Sequence, residues 1–223
     1  MDYMKVVIKL LGTVLVSVLL ALIVSVKVKA QDTVRLVHLN YTSVYSKSLH
    51  YPILVEWWET KAKVNCANPL PRKDQFQPDP LLPAETNLQK DYTKSGLDRG
   101  HLAPAASNLC QGPKVLTECF YFSNIVPQYH ALNGGDWKLL EVLTRNLASK
   151  NDSVHVWAGS IGEVKKIGTT SVPAKCWKVV HVLATGEKVG YLFDNNTSKS
   201  TGIEDNKVNI SIIEKLTGLK FGE

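Results

Sequence analysis

The chain alternates apolar stretches with polar breaks, and the spacing inside each stretch predicts its secondary structure. Runs rich in β-branched and aromatic residues indicate strands at residues 51–60, 153–162, 176–185 and 188–196. Leucines at positions 139, 140, 143 and 147 recur at helical spacing and predict a helix over residues 134–150, and a shorter helix follows at 211–219. Strands and helices mix without strict β-α-β alternation. We therefore expect an α+β fold with a largely antiparallel sheet and flanking helices.

Two further segments of the pattern matter for the site described below. Residues 119–128 are apolar and indicate a buried strand that Pro127 ends, while the stretch LDRGH at 97–101 also has a strand-like character. Residues 68–86 contain five prolines, which predicts an extended loop.

The first 30 residues form a segment of their own. Lys5 and Lys9 precede an uncharged run at 10–26, and Ala30 follows as a small residue suited to signal cleavage. We expect either a cleaved signal peptide or a retained N-terminal membrane anchor, because no polar face is present for a surface helix of the domain. Residues 31–223 then form one domain that is secreted, periplasmic, or held outside the cytoplasm by the anchor.

Composition and charge narrow the function only slightly. The chain has 44% hydrophobic and 21% charged residues, a balance typical of a globular protein rather than a disordered one. The net charge is +6. About half of this charge lies in the first 30 residues, and the remaining mildly basic domain permits a nucleic-acid partner without requiring one.

The four cysteines predict two disulfides in an exported chain. Three pairings of Cys66, Cys110, Cys119 and Cys176 are open, and we expect Cys110–Cys119 with Cys66–Cys176, which close one short and one long loop. No CxxC pair is present, so a structural zinc site is disfavoured.

The stretch DRGH places an acid, a guanidinium, a glycine and an imidazole at positions 98–101. Arg99 and His101 are two residues apart, so on an extended strand their side chains point to the same side. An imidazole can take a proton from water near neutral pH, and an arginine can bind a phosphate oxygen. Gly100 permits a tight backbone between them, and Asp98 is interpreted as structural.

A second stretch carries polar groups at a spacing of four. Asn133, Trp137, Glu141 and Arg145 form one stripe of the predicted helix, with Asn133 placed to cap its start. Each residue alone has an ordinary explanation, since an Asn before a helix is usually a cap and a Glu–Arg pair is usually a weak surface pair. Together, an amide and a carboxylate suit Mg²⁺. With the imidazole and arginine of DRGH they are the parts that phosphodiester hydrolysis needs.

The two stretches DRGH and SNIVPQYHALNGGDWKLLE together resemble the DNA/RNA non-specific endonuclease family, which includes the Serratia-type secreted nuclease and mitochondrial endonuclease G. PRKDQFQPDP, VPAKCWKVV, YLFDNNT and IEKLTGL resemble family segments in the same order, so the resemblance extends over about residues 51–219. It implies a ββα-metal (His-Me finger) nuclease core.

The resemblance also implies a role for each matching residue. His101 matches the general base, Asn133 the direct ligand of Mg²⁺ or Mn²⁺, and Glu141 the carboxylate that holds metal-bound water. The remaining matches are the phosphate-binding Arg72, Arg99 and Arg145, of which Arg99 and Arg72 also steady the transition state, and Asn124, an asparagine close to the metal–histidine centre.

The function implied is an exported, Mg²⁺-dependent endonuclease that cleaves DNA and RNA to 5′-phosphate ends. Contacts to phosphate carry no base information, which agrees with a lack of sequence preference. Homodimers occur in the family, and a membrane contact follows only if the N-terminal segment is retained. Two alternatives remain, a nucleic-acid-binding protein of the same fold without catalysis, and a hydrolase of another phosphodiester with an apolar cleft. A serine hydrolase is disfavoured because no G-x-S-x-G is present.

Overall fold

The computed structural model describes residues 32–82, 89–198 and 201–222. The predicted signal or anchor at residues 1–30 lies outside these ranges. None of the helices within them is long and apolar enough to cross a membrane.

The strands of the described chain are β1 (Thr33–Val37), β2 (Tyr41–Ser46), β3 (Tyr51–Thr60), β4 (Leu97–His101), β5 (Ile125–Tyr129), β6 (Ser153–Ile161), β7 (Lys165–Ile167), β8 (Thr170–Val172), β9 (Lys175–Val182), β10 (Glu187–Asp194) and β11 (Lys207–Val208). Seven of these described strands form an antiparallel sheet in the order β1-β2-β3-β6-β9-β10-β11. β4 pairs with β5, and β7 with β8, both antiparallel. The expected antiparallel α+β fold is confirmed, and β1 and β2 are strands that the apolar pattern did not predict.

The helices of the described chain are α1 (Lys61–Val64), α2 (Gln89–Tyr92), α3 (Pro113–Glu118), α4 (Lys138–Asn151) and α5 (Ile210–Thr217). The two longer ones, α4 and α5, belong to different faces of the large sheet. Alternation along β3 explains this arrangement, because Val55 and Trp57 pack with Leu140 of α4, whereas Leu54 packs with Ile213 of α5. The site described below lies on the α4 side.

The segment at residues 119–128 differs from its prediction. A 3₁₀ turn at Phe122–Asn124 comes first, and Pro127 lies inside β5 instead of ending it. The other edge of β5 faces Asn195, whose side chain accepts from the Tyr129 N–H and donates to the Pro127 carbonyl. Pro127 and Tyr129 therefore direct their backbone groups away from β4, so the N–H that proline lacks is not needed in the β4–β5 ladder.

The helix prediction at 134–150 is right in type and wrong at its start. A turn at Leu132–Trp137 with π-helical hydrogen bonding and a kink at Gly135 (φ −99°, ψ −116°) precedes α4, so Asn133 lies inside that turn and does not cap a helix. The leucines that face the core also differ from the expected pattern. Leu140 is buried while Leu139 is 52% exposed.

The expected disulfide pairing is wrong. Cys66 is bonded to Cys110, with Cα atoms 5.9 Å apart, while Cys119 and Cys176 are free and buried. Cys119 follows α3 and packs in a small apolar cluster with Leu116. Cys176 lies on β9, in the main core between the large sheet and α4. The tertiary packing thus separates the cysteines that sequence spacing had paired.

Candidate active site

The β4–β5 pair carries the DRGH stretch, and its register explains the glycine. Gly100 lies opposite Val126, and Asp98 lies opposite Gln128. A Cβ atom on Gly100 would lie 1.9 Å from Oε1 of Gln128, well inside van der Waals contact. Gly100 is therefore required so that the buried Gln128 side chain can lie against the β4 backbone.

Arg99 and His101 face the same side of β4, as their spacing predicts. The Arg99 Cζ atom lies 4.4 Å from the centre of the Phe76 ring, and the centre of the His101 imidazole lies 5.4 Å from the same ring. A guanidinium and an imidazole are thus held next to each other through one aromatic contact.

The His101 imidazole is buried and neutral. Its residue is 7% exposed, and Nε2 has no hydrogen-bond partner among the described residues. The pKa of His101 is lowered to about 3, mainly by burial and then by the positive charge of Arg72, with Asp74 opposing the shift and Arg99 adding to it. The imidazole is therefore unprotonated at neutral pH and able to accept a proton.

Asp98 fixes the side chain of Asn133. Oδ2 of Asp98 accepts a 2.8 Å hydrogen bond from Nδ2 of Asn133 and lies 2.8 Å from Nδ1 of His130, whose side chain is 83% exposed. Because a carboxylate only accepts, the Asn133 amide nitrogen faces Asp98, and its oxygen remains for another partner. The π-helical turn and the β4 strand are joined through this contact.

A cleft of about 390 Å³ opens beside these residues. Its lining is mainly polar: Arg72, Asp74, Phe76, Gln89, Tyr92, Thr93, Leu97, Asp98, Arg99 and Asn133. Arg72 belongs to the proline-rich loop and is held by a 2.9 Å ion pair from its Nε to Asp74. The cleft can bind an anion, since two guanidinium groups line it.

Glu141 and Arg145 belong to a group of charges between α4 and the large sheet. Lys178 of β9 is buried, with its Nζ 4.2 Å from the centre of the Trp137 ring, and Glu59 of β3 accepts a hydrogen bond from Ser107. Burial raises the pKa of Glu141, opposed by the positive charges of Lys178 and Arg145. The two cations favour the anionic form of Glu141, and burial, which is the larger effect, disfavours it.

The same group of charges leaves polar atoms without partners. Nζ of Lys178, Nη1 of Arg145 and Oε2 of Glu59 are buried and have no hydrogen-bond partner within the described chain. The Trp137 indole, beside Lys178, donates a 2.9 Å hydrogen bond to the backbone oxygen of His101. The charged group thus adjoins the strand that carries the imidazole.

Asn124 lies behind the site. It is fully buried, and its side chain accepts from the N–H of Ala103 and donates to the carbonyls of Ala103 and Cys119. All of these partners are backbone groups. Asn124 thus fixes the chain just after His101, as a positioning residue beside the centre.

The structure gathers the residues singled out from the sequence into two adjoining places. Arg72, Arg99 and Asn133 line the cleft, and His101 lies buried behind Phe76. Glu141 and Arg145 lie with Lys178 in the charged group. Of the stripe at a spacing of four, Trp137, Glu141 and Arg145 all lie near Lys178, while the turn at Leu132–Trp137 separates Asn133 from them.

Sequence reasoning missed several contributors. Phe76 and Phe120 contact the imidazole, and only Phe120, in the apolar run at 119–128, had any local signal, since Phe76 lies in the polar, proline-rich loop. Lys178 carried a signal that was not used, namely a single lysine inside the apolar strand pattern CWKVV. A lysine at a buried strand position is rare and usually has a specific reason.

The donor set fits a hard divalent cation that keeps most of its water. No cluster of three or more His, Cys, Asp or Glu side chains capable of holding a metal occurs in the described ranges. Asn133 instead offers a single amide oxygen, fixed from behind by Asp98. Mg²⁺ prefers oxygen ligands and commonly binds through few protein groups.

Comparison with known proteins agrees with this geometry. The family model of the DNA/RNA non-specific endonucleases matches residues 21–223. The human mitochondrial nuclease EXOG is 31% identical over 177 residues, which cover 66% of this chain and 46% of EXOG. The nuclease of Serratia marcescens is 36% identical over 160 residues, covering 65% of this chain and 59% of that protein.

A solved structure has the same fold. The crystal structure of the EndoG/EndoGI complex matches with a TM-score of 0.76 and 28% identity, covering 84% of each chain. The present chain spans about half the length of the EXOG proteins it matches. Because the family model covers nearly all of it, the chain belongs to the DNA/RNA non-specific endonuclease family.

Proposed function

We propose that this chain is a metal-dependent endonuclease that hydrolyses phosphodiester bonds of both DNA and RNA. The observation that carries the proposal is the buried, neutral His101 imidazole with an unpartnered Nε2, held beside Arg99 on β4. A buried nitrogen without a partner costs about 1–3 kcal/mol, and a water bound there would remove that cost.

His101 acts as the general base in this mechanism. Its Nε2 takes a proton from water, and the water oxygen attacks phosphorus. The P–O3′ bond breaks, the O3′ oxygen takes a proton from solvent, and the phosphate stays on the 5′ end. Burial keeps the imidazole unprotonated at neutral pH, so the Nε2 lone pair is available to a water molecule that enters the site.

The arginines bind the phosphate. Arg99 and Arg72 line the polar cleft and can hold its non-bridging oxygens, which gain charge as water attacks. Arg145 lies deeper, beside Glu141, where its charge also stabilises that carboxylate. The polar lining disfavours a lipid-like ester as substrate, since such a ligand needs an apolar cleft.

Asn133 and Glu141 are the residues that would hold the metal, Mg²⁺ or Mn²⁺, the first directly and the second through water. When bound, the cation stabilises negative charge on the phosphate and the leaving oxygen. Asp98 orients the Asn133 amide toward that role, and the positive charges of Lys178 and Arg145 oppose the rise that burial causes in the pKa of Glu141.

We also propose that the domain functions outside the cytoplasm. The support is the basic, then uncharged, segment at residues 1–30, read as a signal peptide or an anchor. Immunoblotting of cell fractions distinguishes the two, because a cleaved protein is shorter and released, while an anchored one keeps its full mass and sediments with membranes.

The activity is tested with the purified full-length chain in mild detergent, incubated with supercoiled plasmid or total RNA in Mg²⁺ or EDTA. His101→Ala is compared with His181→Ala, a matched control on the face of β9 that is turned away from α4. We expect degradation of both substrates by wild type and His181→Ala, and none with EDTA or His101→Ala.

A folded wild-type protein that leaves plasmid and RNA intact in several divalent metals would overturn the catalytic proposal. A gel shift on the same samples then identifies a binding protein of the same fold. End analysis of the products checks the remaining claim, because 3′-phosphate ends would exclude cleavage at P–O3′.

A further inference from the structure

Two phenylalanine rings enclose the candidate base. Phe76 of the proline-rich loop and Phe120, just after α3, meet edge to face, with ring centres 5.2 Å apart. The centre of the His101 imidazole lies 5.4 Å from the Phe76 ring and 5.1 Å from the Phe120 ring. The imidazole thus contacts both rings, which cover part of its surface.

Each ring also holds one arginine. The Arg99 Cζ atom lies 4.4 Å from the centre of Phe76, and the Arg72 Cζ atom lies 5.8 Å from the centre of Phe120. Both distances are within the range of cation–π attraction. Phe76 therefore contacts Arg99 and His101, and Phe120 contacts Arg72 and His101.

The rings are better fixed than the side chains they hold. Phe120 is 1% exposed, and Phe76 stacks on Phe122 at 6.3 Å between ring centres. Arg72 is exposed apart from its pair with Asp74, and a long arginine side chain loses much conformational entropy when it is ordered. A rigid ring beneath a guanidinium reduces that cost before any ligand arrives.

We propose that Phe76 and Phe120 are positioning residues, each of which couples one phosphate-binding arginine to His101, Phe76 for Arg99 and Phe120 for Arg72. The proposal rests on the proposed function, since these arginines bind phosphate and His101 serves as base only in that reaction. The proposal predicts which pairs of residues are energetically coupled. Each phenylalanine should be coupled to the arginine that its ring contacts, and not to the other arginine of the cleft.

Double-mutant cycles test the pattern. Phe76→Leu and Phe120→Leu are each combined with Arg99→Gln and with Arg72→Gln, and the Kd of a fluorescein-labelled single-stranded DNA of about 20 nucleotides is measured in EDTA. For the contacting pairs, Phe76–Arg99 and Phe120–Arg72, we expect coupling of about 2- to 30-fold in Kd. For the crossed pairs, we expect the effects to multiply within about twofold.

The histidine is followed separately, without substrate or metal. Isotope-labelled imidazole resonances report the His101 titration in wild type, in Phe76→Leu and in Phe221→Leu. Phe221→Leu is the matched control, because Phe221 is a buried ring that contacts Trp157 and Trp177 on the other face of the large sheet and has no ring contact with His101 or Phe76. We expect the titration midpoint of His101 to move upward in Phe76→Leu and to stay in place in Phe221→Leu, with near-UV circular dichroism verifying that both variants are folded.

Equal coupling in crossed and contacting pairs would overturn the proposal, as would the same His101 shift in both leucine variants. A different result tests the proposed function. If the wild-type chain neither binds nor cleaves nucleic acid, that function fails, while the His101 titration still decides whether the Phe76 ring controls the imidazole.

Discussion

Stability should depend on pH through His101. The folded chain holds this imidazole with a pKa of about 3, whereas the unfolded chain has the ordinary value of 6.5. Between these values the unfolded state binds a proton that the folded state does not, so protonation favours unfolding. The free energy of unfolding is therefore unaffected by His101 above pH 6.5 and decreases as the pH falls from 6.5 toward 3.

The size of this decrease in unfolding free energy follows from the two pKa values of His101, in the folded and in the unfolded chain. Each pH unit below the unfolded pKa costs about 1.4 kcal/mol, so the wild type should lose about 2 kcal/mol between about pH 7.5 and pH 5 from His101 alone. The group is almost fully buried, so little of this effect is screened by solvent. Other groups also titrate, and only a difference between variants isolates this one.

The assay is urea unfolding at both pH values for wild type and His101→Gln. The free energy of unfolding of wild type should fall by about 2 kcal/mol more than that of the variant. His130→Gln is the matched control, because it also removes an imidazole, but from a side chain that is 83% exposed, and leaves His101 in place. The free energy of unfolding of His130→Gln should fall between the two pH values by the same amount as that of the wild type.

Parallel pH dependence in wild type and His101→Gln would refute the reasoning. It would mean that the folded chain protonates His101 as easily as the unfolded chain does. The imidazole would then be solvated rather than enclosed, and the burial described above would be wrong.

Three further outcomes are expected. Gly100→Ala should destabilise the fold by about 1–3 kcal/mol in urea unfolding, because the added Cβ overlaps a buried side chain; an unchanged midpoint would contradict this. Asp98→Ala should weaken Mn²⁺ binding measured by calorimetry, because Asn133 loses the 2.8 Å hydrogen bond that orients it, and equal affinity would show that the amide needs no support. Replacing Cys66 and Cys110 by Ala should cost about 2–4 kcal/mol, since their disulfide closes a loop with a sequence separation of 44, and reducing agent should then no longer affect the variant's stability.

The sequence by itself determined the positions of most long strands and the side of β4 on which the site residues lie, because both depend on local patterns. Apolar alternation placed β3 at Tyr51–Thr60, and β6, β9 and β10 within a residue or two at most ends. The spacing of two in DRGH correctly put Arg99 and His101 on one side of a strand. These features are fixed by the period of the backbone, which needs no knowledge of distant contacts.

Local reasoning failed where a residue's partner is far away in the chain. Pro127 fits inside β5 because Asn195 covers the other edge, 68 residues away. Asn133 is no helix cap because Asp98, 35 residues earlier, binds its side chain, and a π-helical turn replaces the expected first turn. The cysteine pairing was wrong for the same reason, since packing and not loop length brings Cys66 to Cys110.

The environment of the candidate base was decided by tertiary structure alone. The sequence motif indicated that His101 is the base, and the residue type alone gives its imidazole the ordinary pKa of 6.5. The imidazole is buried against Phe76 and Phe120, which lie 25 residues before it and 19 after it in the sequence, and Arg72 adds to the lowering of its pKa. Desolvation depends on every atom that excludes water from a group, and that set is assembled only when the chain folds.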